Sequence, residues 1–121
     1  MAEIRLWRDW SAGWQDELHK LPATAQAQIN ASLSNLVQAL ASCTDVLSDP
    51  ALAEWGPKKW ETAQAQRSRG IWAEYHLGDR DNRARVVVCH MVEKDQIHLV
   101  ARTAVHDHTK LRELVGRFTP R

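Results

Sequence analysis

Hydrophobic residues at helical spacing dominate the first third of the chain. A short apolar segment at 4–7 predicts a first strand. Beyond it, two helical stripes are separated by Pro22, which either ends the first helix or opens the second. The first helix has Ser11 available as its N-cap. The apolar positions of the two stripes are Trp14, Leu18 and Leu21, then Ile29, Leu33, Leu36, Val37 and Leu40.

Residues 43–60 show no clear period. The pairs Asp49-Pro50 and Gly56-Pro57 are typical of turns. We therefore expect a loop with one helical turn in this segment.

From residue 70 the period changes to that of strands. Three runs, 70–78, 83–92 and 96–104, are separated by polar turn sequences, which predicts an antiparallel meander. The tail returns to helical spacing, with apolar residues at Leu111, Leu114, Val115 and Phe118.

The predicted fold class is therefore α+β: an N-terminal short strand and a helical hairpin packed on an antiparallel β-meander, with a C-terminal helix. The length of 121 residues fits a single domain spanning 1–121. With 44% hydrophobic and 26% charged residues, the chain is neither a disordered nor a membrane protein. Cys43 and Cys89 lie too far apart in sequence for a disulfide framework, which favours a reduced, cytoplasmic protein.

The formal net charge is +1, but the charges and histidines are unevenly placed. Residues 1–60 contain five basic and seven acidic side chains, whereas residues 61–121 contain eleven basic and eight acidic ones. Five of the six histidines also lie in the second half. A function that involves an anion or a proton is therefore expected there.

Side chains alternate between the two faces of a strand, so the meander has one apolar face and one mixed face. The mixed face holds Trp72, Glu74, His76, Arg83, Arg85, Val87, Cys89, Met91, His98, Val100 and Arg102. With four-residue loops, one row contains Glu74, Val87 and Arg102, and the next contains His76, Arg85 and Ala104. His106 would follow just beyond the last strand. Such a face is either an ordinary solvated surface or a concave site for a phosphate.

The remaining histidines have simpler interpretations. His90 falls on the apolar face and is expected to be buried and hydrogen-bonded, while His98 is expected at the surface. His106 and His108 flank Asp107, which is a candidate N-cap for the last helix. A His-x-His pair without a third and fourth convergent ligand is a weak metal signal, so neither a metal nor another cofactor is predicted.

The order of elements, together with the stretch Arg102-Thr103-Ala104-Val105-His106, resembles the RelE/ParE toxin superfamily. In its YafQ-like branch of mRNA interferases the last strand ends in an Arg-Thr-x-x-His pattern, and Arg102-Thr103…His106 has this spacing. The resemblance implies a single RelE-like domain, ribosome-dependent cleavage of mRNA by attack of the ribose 2′-hydroxyl, and inhibition by a cognate antitoxin.

By the same resemblance, Arg102 would stabilise the phosphate and His106 would be the general acid. Arg85 and Arg69 are candidate secondary contacts to phosphate. Three further assignments come from the face on which the residues fall: His76 or Glu74 as the base, and Trp72 stacking on a base of the RNA. Lys110, four residues after His106, is a further candidate contact to the substrate.

Two other functions remain open. A ParE-like inhibitor of DNA gyrase would use the same fold without catalysis. A protein-interaction module is favoured by the six tryptophans, three of which cluster at Trp7, Trp10 and Trp14, although core packing is the more common fate of such residues.

Overall fold

A computed structural model describes residues 2–60, 70–79 and 81–119. The elements within these ranges are β1 (Glu3–Leu6), α1 (Trp14–His19), α2 (Ala23–Ser42), a 3-10 helix (Pro50–Trp55), β2 (Lys58–Lys59), β3 (Ile71–His76), β4 (Arg85–Met91), a 3-10 turn (Val92–Lys94), β5 (Gln96–Thr103) and α3 (His108–Arg117). The strands form one sheet in the order β1-β5-β4-β3-β2.

The predicted α+β architecture is confirmed, and the sheet is larger than the meander alone. β3, β4 and β5 are antiparallel neighbours, as the sequence indicated. β1 pairs in parallel with β5, and β2 adds two residues beside β3. The sheet is therefore mixed, with the first strand at one edge.

Two predicted helix starts have different outcomes. Asp107 caps α3 through its side chain, which accepts a hydrogen bond from the Lys110 amide at 3.0 Å. Ser11 does not cap α1: the N-cap is Gly13, whose φ of 69° is in the left-handed region that glycine adopts readily. The N-cap prediction for Ser11 is thus wrong by two residues.

One face of the sheet packs on α1 and α2 through a large hydrophobic cluster. This cluster includes Trp14, Ile29, Leu36, Tyr75, Val86 and Ile97. The buried hydroxyl of Tyr75 donates to the carbonyl of Val46. His90 is buried on the same face and contacts the carboxylate of Asp95 at 3.3 Å, as expected.

The opposite face is largely covered by α3, which the sequence did not place. Phe118, which directly follows α3, contacts the rings of Trp7, Trp72 and His98 edge to face. His98 is consequently only 4% exposed, and the prediction that it lies at the surface is wrong. All six tryptophans are buried, so the cluster near the start of the chain is not an exposed aromatic surface.

The expected register of the second hairpin is also wrong. Val87 opposes Ala101 instead of Arg102, and the row of His76 and Arg85 ends at Thr103 instead of Ala104. The reason is a bulge between Val87 and Val88, together with a four-residue turn that begins one residue earlier than expected, at Val92. A shift of one residue moves a side chain to the other face of the sheet.

None of the helices in the described ranges combines the length and the hydropathy that crossing a membrane requires.

Candidate functional site

Charged side chains converge at one end of the sheet, next to the face covered by α3. His76 on β3 lies directly opposite Arg85 on β4, and β2 places Lys58 opposite Glu74. These four residues line a cavity of about 160 Å³ together with Gly56 and Tyr75. The first hairpin thus assembles Glu74, His76 and Arg85 as the sequence predicted.

Glu74 is the recessed acidic group of this cavity. The residue is only 9% exposed, and its Oε1 has no hydrogen-bond partner among the described residues. Removing a carboxylate oxygen from water without a partner costs free energy. The side chain therefore offers an acceptor to whatever occupies the cavity.

His76 is held in place by the backbone. Its Nε2 contacts the carbonyl oxygen of Asn82. A carbonyl oxygen only accepts hydrogen bonds, so Nε2 must carry the hydrogen. In the neutral ring Nδ1 is then the atom with the free lone pair.

His106 lies beside this cluster on the connection between β5 and α3. It is exposed and has a φ of 60°. Desolvation lowers the pKa of His106, and the positive charges of Arg85, His108 and Arg83 lower it further, while Glu74 opposes them. Thr103, three residues before His106, lies opposite Arg85 on β4, so His106 follows the end of β5 that pairs with the Arg85 end of β4.

An aromatic group borders the same loop. The rings of His106 and His108 are 4.6 Å apart between centroids, and His108 lies nearly parallel to Trp60 at 6.1 Å. Trp60 is 8% exposed, and its Nε1 has no hydrogen-bond partner within the part of the chain that the structure describes. Sequence reasoning missed both Lys58 and Trp60 as site residues, because a two-residue strand leaves no period to detect.

Arg102 is not part of this cluster. The corrected register pairs it with Val86, on the face that packs against α1 and α2. Its Nε donates to the Trp10 carbonyl at 3.2 Å, and its Nη2 donates to Ser11 Oγ at 2.8 Å. The expected row of Arg102 with Glu74 is therefore not formed.

Trp72 and Lys110, which were also predicted to contact the substrate, are both engaged by other parts of the protein. The Trp72 ring is only 3% exposed and packs on Phe118, so it presents no open face for stacking. The ammonium of Lys110 forms an ion pair with Glu17 at 2.5 Å. Arg69 lies outside the described residues.

Across 2–60, 70–79 and 81–119, histidine, cysteine and carboxylate side chains form no group of three or more that would hold a metal ion.

The chain is thus an α+β protein with a mixed five-stranded sheet in its described part and a cationic, histidine-containing cavity at one end of that sheet. A solved structure similar to it is that of the isolated RelE toxin of E. coli, with a TM-score of 0.46 and 16% identity over 97% of this chain and 98% of that one. No protein-family model matches the chain, and no curated protein matches it.

Proposed function

We propose that this chain is the toxin of a toxin–antitoxin system and an endoribonuclease that cleaves mRNA on the ribosome. The observation that carries the proposal is the convergence of Arg85, Lys58, Glu74 and His76 around one cavity, with His106 beside it. Cations that neutralise a phosphate and a group that titrates near neutral pH are the two requirements of RNA cleavage by an internal hydroxyl.

Arg85 is the principal phosphate ligand of the proposed site. Its guanidinium group can donate two parallel hydrogen bonds to phosphate oxygens, which an ammonium group cannot. Lys58 lines the same cavity, and the charge of Arg83 also reaches His106. In this proposal Arg85, Lys58 and Arg83 supply the positive charge for the phosphate that the sequence motif assigned to Arg102.

His106 is proposed as the proton acceptor. Its lowered pKa means that the imidazole is mostly neutral at pH 7, and a neutral imidazole can accept a proton. This differs from the role of general acid that the resemblance implied. Glu74, which lines the cavity, is the second group able to accept a proton.

The reaction follows from these positions. The ribose 2′-oxygen loses its proton to His106 and forms a bond to the adjacent phosphorus. The bond from phosphorus to the 5′-oxygen breaks, that oxygen takes a proton from solvent water as it leaves, and His106 returns its proton to solvent. The products are a 2′,3′-cyclic phosphate end and a 5′-hydroxyl end, while Arg85 stabilises the charge on the phosphorane-like transition state.

The ribosome and an antitoxin are the proposed partners. A net charge of +1 gives this chain little general attraction for RNA, because non-specific affinity comes from the phosphate backbone and many basic contacts. A site of this kind needs another component to bring mRNA to it, and the ribosome is that component in the proposal. The antitoxin is carried over from the family resemblance.

One observation favours a non-catalytic alternative, a ParE-like gyrase inhibitor or an interaction module. The motif arginine and His106 were expected to act together, yet Arg102 is fixed on the helix-facing side of the sheet by Trp10 and Ser11. In this alternative the cationic cavity would bind an acidic partner surface, and no bond would be cleaved.

The test compares Arg85→Gln and His106→Gln with a matched control, Arg112→Gln, on the exposed side of α3. We expect the wild-type protein and the control to cleave mRNA on translating ribosomes and to leave 2′,3′-cyclic phosphate ends. Both site variants should lose at least about tenfold in kcat/KM. Arg85→Gln removes the charge that stabilises the transition state, and His106→Gln removes the group that accepts the proton.

The proposal fails if the wild-type protein leaves mRNA intact or if both site variants cleave like the control. Inhibition of gyrase supercoiling that survives His106→Gln would instead establish the ParE-like alternative.

A further inference from the structure

A single hydroxyl group anchors the loop that carries His106. Thr103, the last residue of β5, accepts hydrogen bonds at Oγ1 from the amides of Val105 and Asp107, at 3.4 and 3.2 Å. These amides flank His106 on both sides. The same hydroxyl donates to Glu17 Oε2 at 2.9 Å. One donor and two acceptor sites are thus all in use.

Glu17 connects this anchor to two helices. The residue belongs to α1, and its second oxygen, Oε1, accepts from the ammonium of Lys110 on α3 at 2.5 Å. The two carboxylate oxygens therefore have different partners, one in the strand and one in the helix. The side chain of Glu17 is only 13% exposed, so water competes weakly for these bonds.

The backbone of His106 needs such an anchor. A φ of 60° is in the left-handed region, which costs free energy for a residue with a Cβ atom. This conformation persists only where neighbouring contacts hold it. The two amides bound to Thr103 and the cap that Asp107 forms on α3 are the contacts on either side.

We infer that Glu17 and Thr103 are positioning residues that hold the His106 imidazole beside Arg85. Glu17 fixes the rotamer of the Thr103 hydroxyl, and that hydroxyl fixes the backbone on both sides of His106. The effect on catalysis rests on the proposed function, whereas the effect on the loop does not.

The experiment compares Thr103→Val, which keeps the shape and removes the hydroxyl, with Thr103→Ser, which keeps the hydroxyl. Glu17→Gln keeps an acceptor for Thr103 but loses the charge opposite Lys110, and Glu17→Ala removes both. Asp16→Asn is the matched control, since it removes an exposed carboxylate from the adjacent position of α1.

Each variant is studied by NMR, which gives the amide hydrogen exchange rates and the His106 imidazole resonances. The kinetics of mRNA cleavage on ribosomes then give kcat and KM. We expect Thr103→Val and Glu17→Ala to speed exchange at Val105 and Asp107 about tenfold, the equivalent of one hydrogen bond. They should also shift the His106 resonances and lower kcat about tenfold at unchanged KM. Thr103→Ser and the control should resemble the wild type.

The inference is overturned if both Thr103→Val and Glu17→Ala leave the exchange rates and the His106 resonances unchanged. Equal losses in Thr103→Ser and Thr103→Val would also overturn it, because the hydroxyl would then not be the relevant group. If the wild-type protein cleaves no RNA, the proposed function fails, and the NMR measurement still decides the positioning role. Glu17→Gln replaces the carboxylate acceptor of Thr103 by a neutral amide oxygen, which forms a weaker hydrogen bond. If Thr103→Val and Glu17→Ala do not fold, Glu17→Gln should still speed exchange at Val105 and Asp107, and exchange at the wild-type rates would overturn the inference.

Discussion

The guanidinium carbon of Arg102 lies 4.4 Å from the centroid of the Trp14 ring. A second indole, that of Trp10, is 4.7 Å away. Burial lowers the pKa of Arg102 to about 10, which still leaves the side chain charged at neutral pH. The motif arginine therefore makes cation–π contacts with both indoles and links the segment before α1 to the end of β5.

Replacement of Arg102 by methionine should reduce stability. The variant keeps the apolar stem but loses two cation–π contacts and the hydrogen bonds to Trp10 and Ser11. We expect the free energy of unfolding in urea to fall by about 2–4 kcal/mol. Folded protein at low temperature should retain RNA cleavage within about threefold of wild type. Loss of cleavage at unchanged stability would place Arg102 in the site after all.

The pKa of His106 should rise when Arg85 is replaced by glutamine. The positive charge of Arg85 opposes protonation of the imidazole, so its removal brings the pKa back towards the ordinary value of about 6.5. NMR titration of the His106 ring in both proteins measures the change, with Arg112→Gln as the control. An unchanged pKa would mean that the two side chains do not lie together in solution.

Cleavage by the wild-type protein should increase with pH through the pKa of His106 and level off above it. The neutral imidazole is the active form of a general base, and it accumulates as pH rises past a pKa below the ordinary value. The measurement is kcat/KM between about pH 5 and pH 8. A rate that falls over the same range would show that His106 acts as the acid, as the family resemblance implied.

The stability of the protein should fall as the solution is acidified below about pH 6.5, in part because of His98. Burial lowers the pKa of His98, and Arg5 and Lys94 lower it further. At a pH above the pKa of His98 in the unfolded chain, the imidazole is neutral in both the folded and the unfolded state, and protonation of His98 does not reduce the free energy of unfolding. As pH decreases from there to the lower folded pKa, the unfolded state binds the proton first, so the free energy of unfolding decreases.

His98→Leu should reduce this loss of stability, as measured by urea unfolding at pH 7.5 and pH 5. His19→Leu, at an exposed histidine of α1, is the control and should retain the wild-type dependence. An equal acid sensitivity in His98→Leu and wild type would contradict the assignment.

Phe118→Ala should be strongly destabilising, because one ring joins Trp7, Trp72 and His98 across the face that α3 covers. Truncation of a buried phenylalanine costs about 3–5 kcal/mol. Thr119→Ala, at the exposed neighbouring position, should change the free energy of unfolding by less than about 0.5 kcal/mol. A loss below about 1 kcal/mol for Phe118→Ala would show that this end of α3 is not packed on the sheet in solution.

The helices, and the strands other than the two-residue β2, were predictable from the pattern of apolar residues along the chain. α2 has a continuous stripe from Ile29 to Leu40, and β3 and β4 are short, largely apolar runs on either side of a polar turn. The first hairpin register followed from the length of that turn. The cluster of Glu74, His76 and Arg85 was therefore accessible from the sequence.

The second hairpin was not predictable in the same way. A β-bulge adds one residue without changing the apolar character of Val87, Val88 or Val100, so no sequence signal marks it. The consequence for function was large, because it moved Arg102 to the other face. The packing of α3 was also inaccessible, since an amphipathic helix fits either face of a sheet that is apolar on both.

β1 pairs in parallel with β5, so the first strand of the chain cannot join the sheet before the last strand has formed. Glu3 lies opposite Gln96, so their pairing closes a loop of more than ninety residues. Contacts between residues so distant in sequence carry a high entropy of closure and slow folding. During synthesis, this edge of the sheet stays unpaired until β5 has left the ribosomal tunnel, so completion of the sheet is a late event.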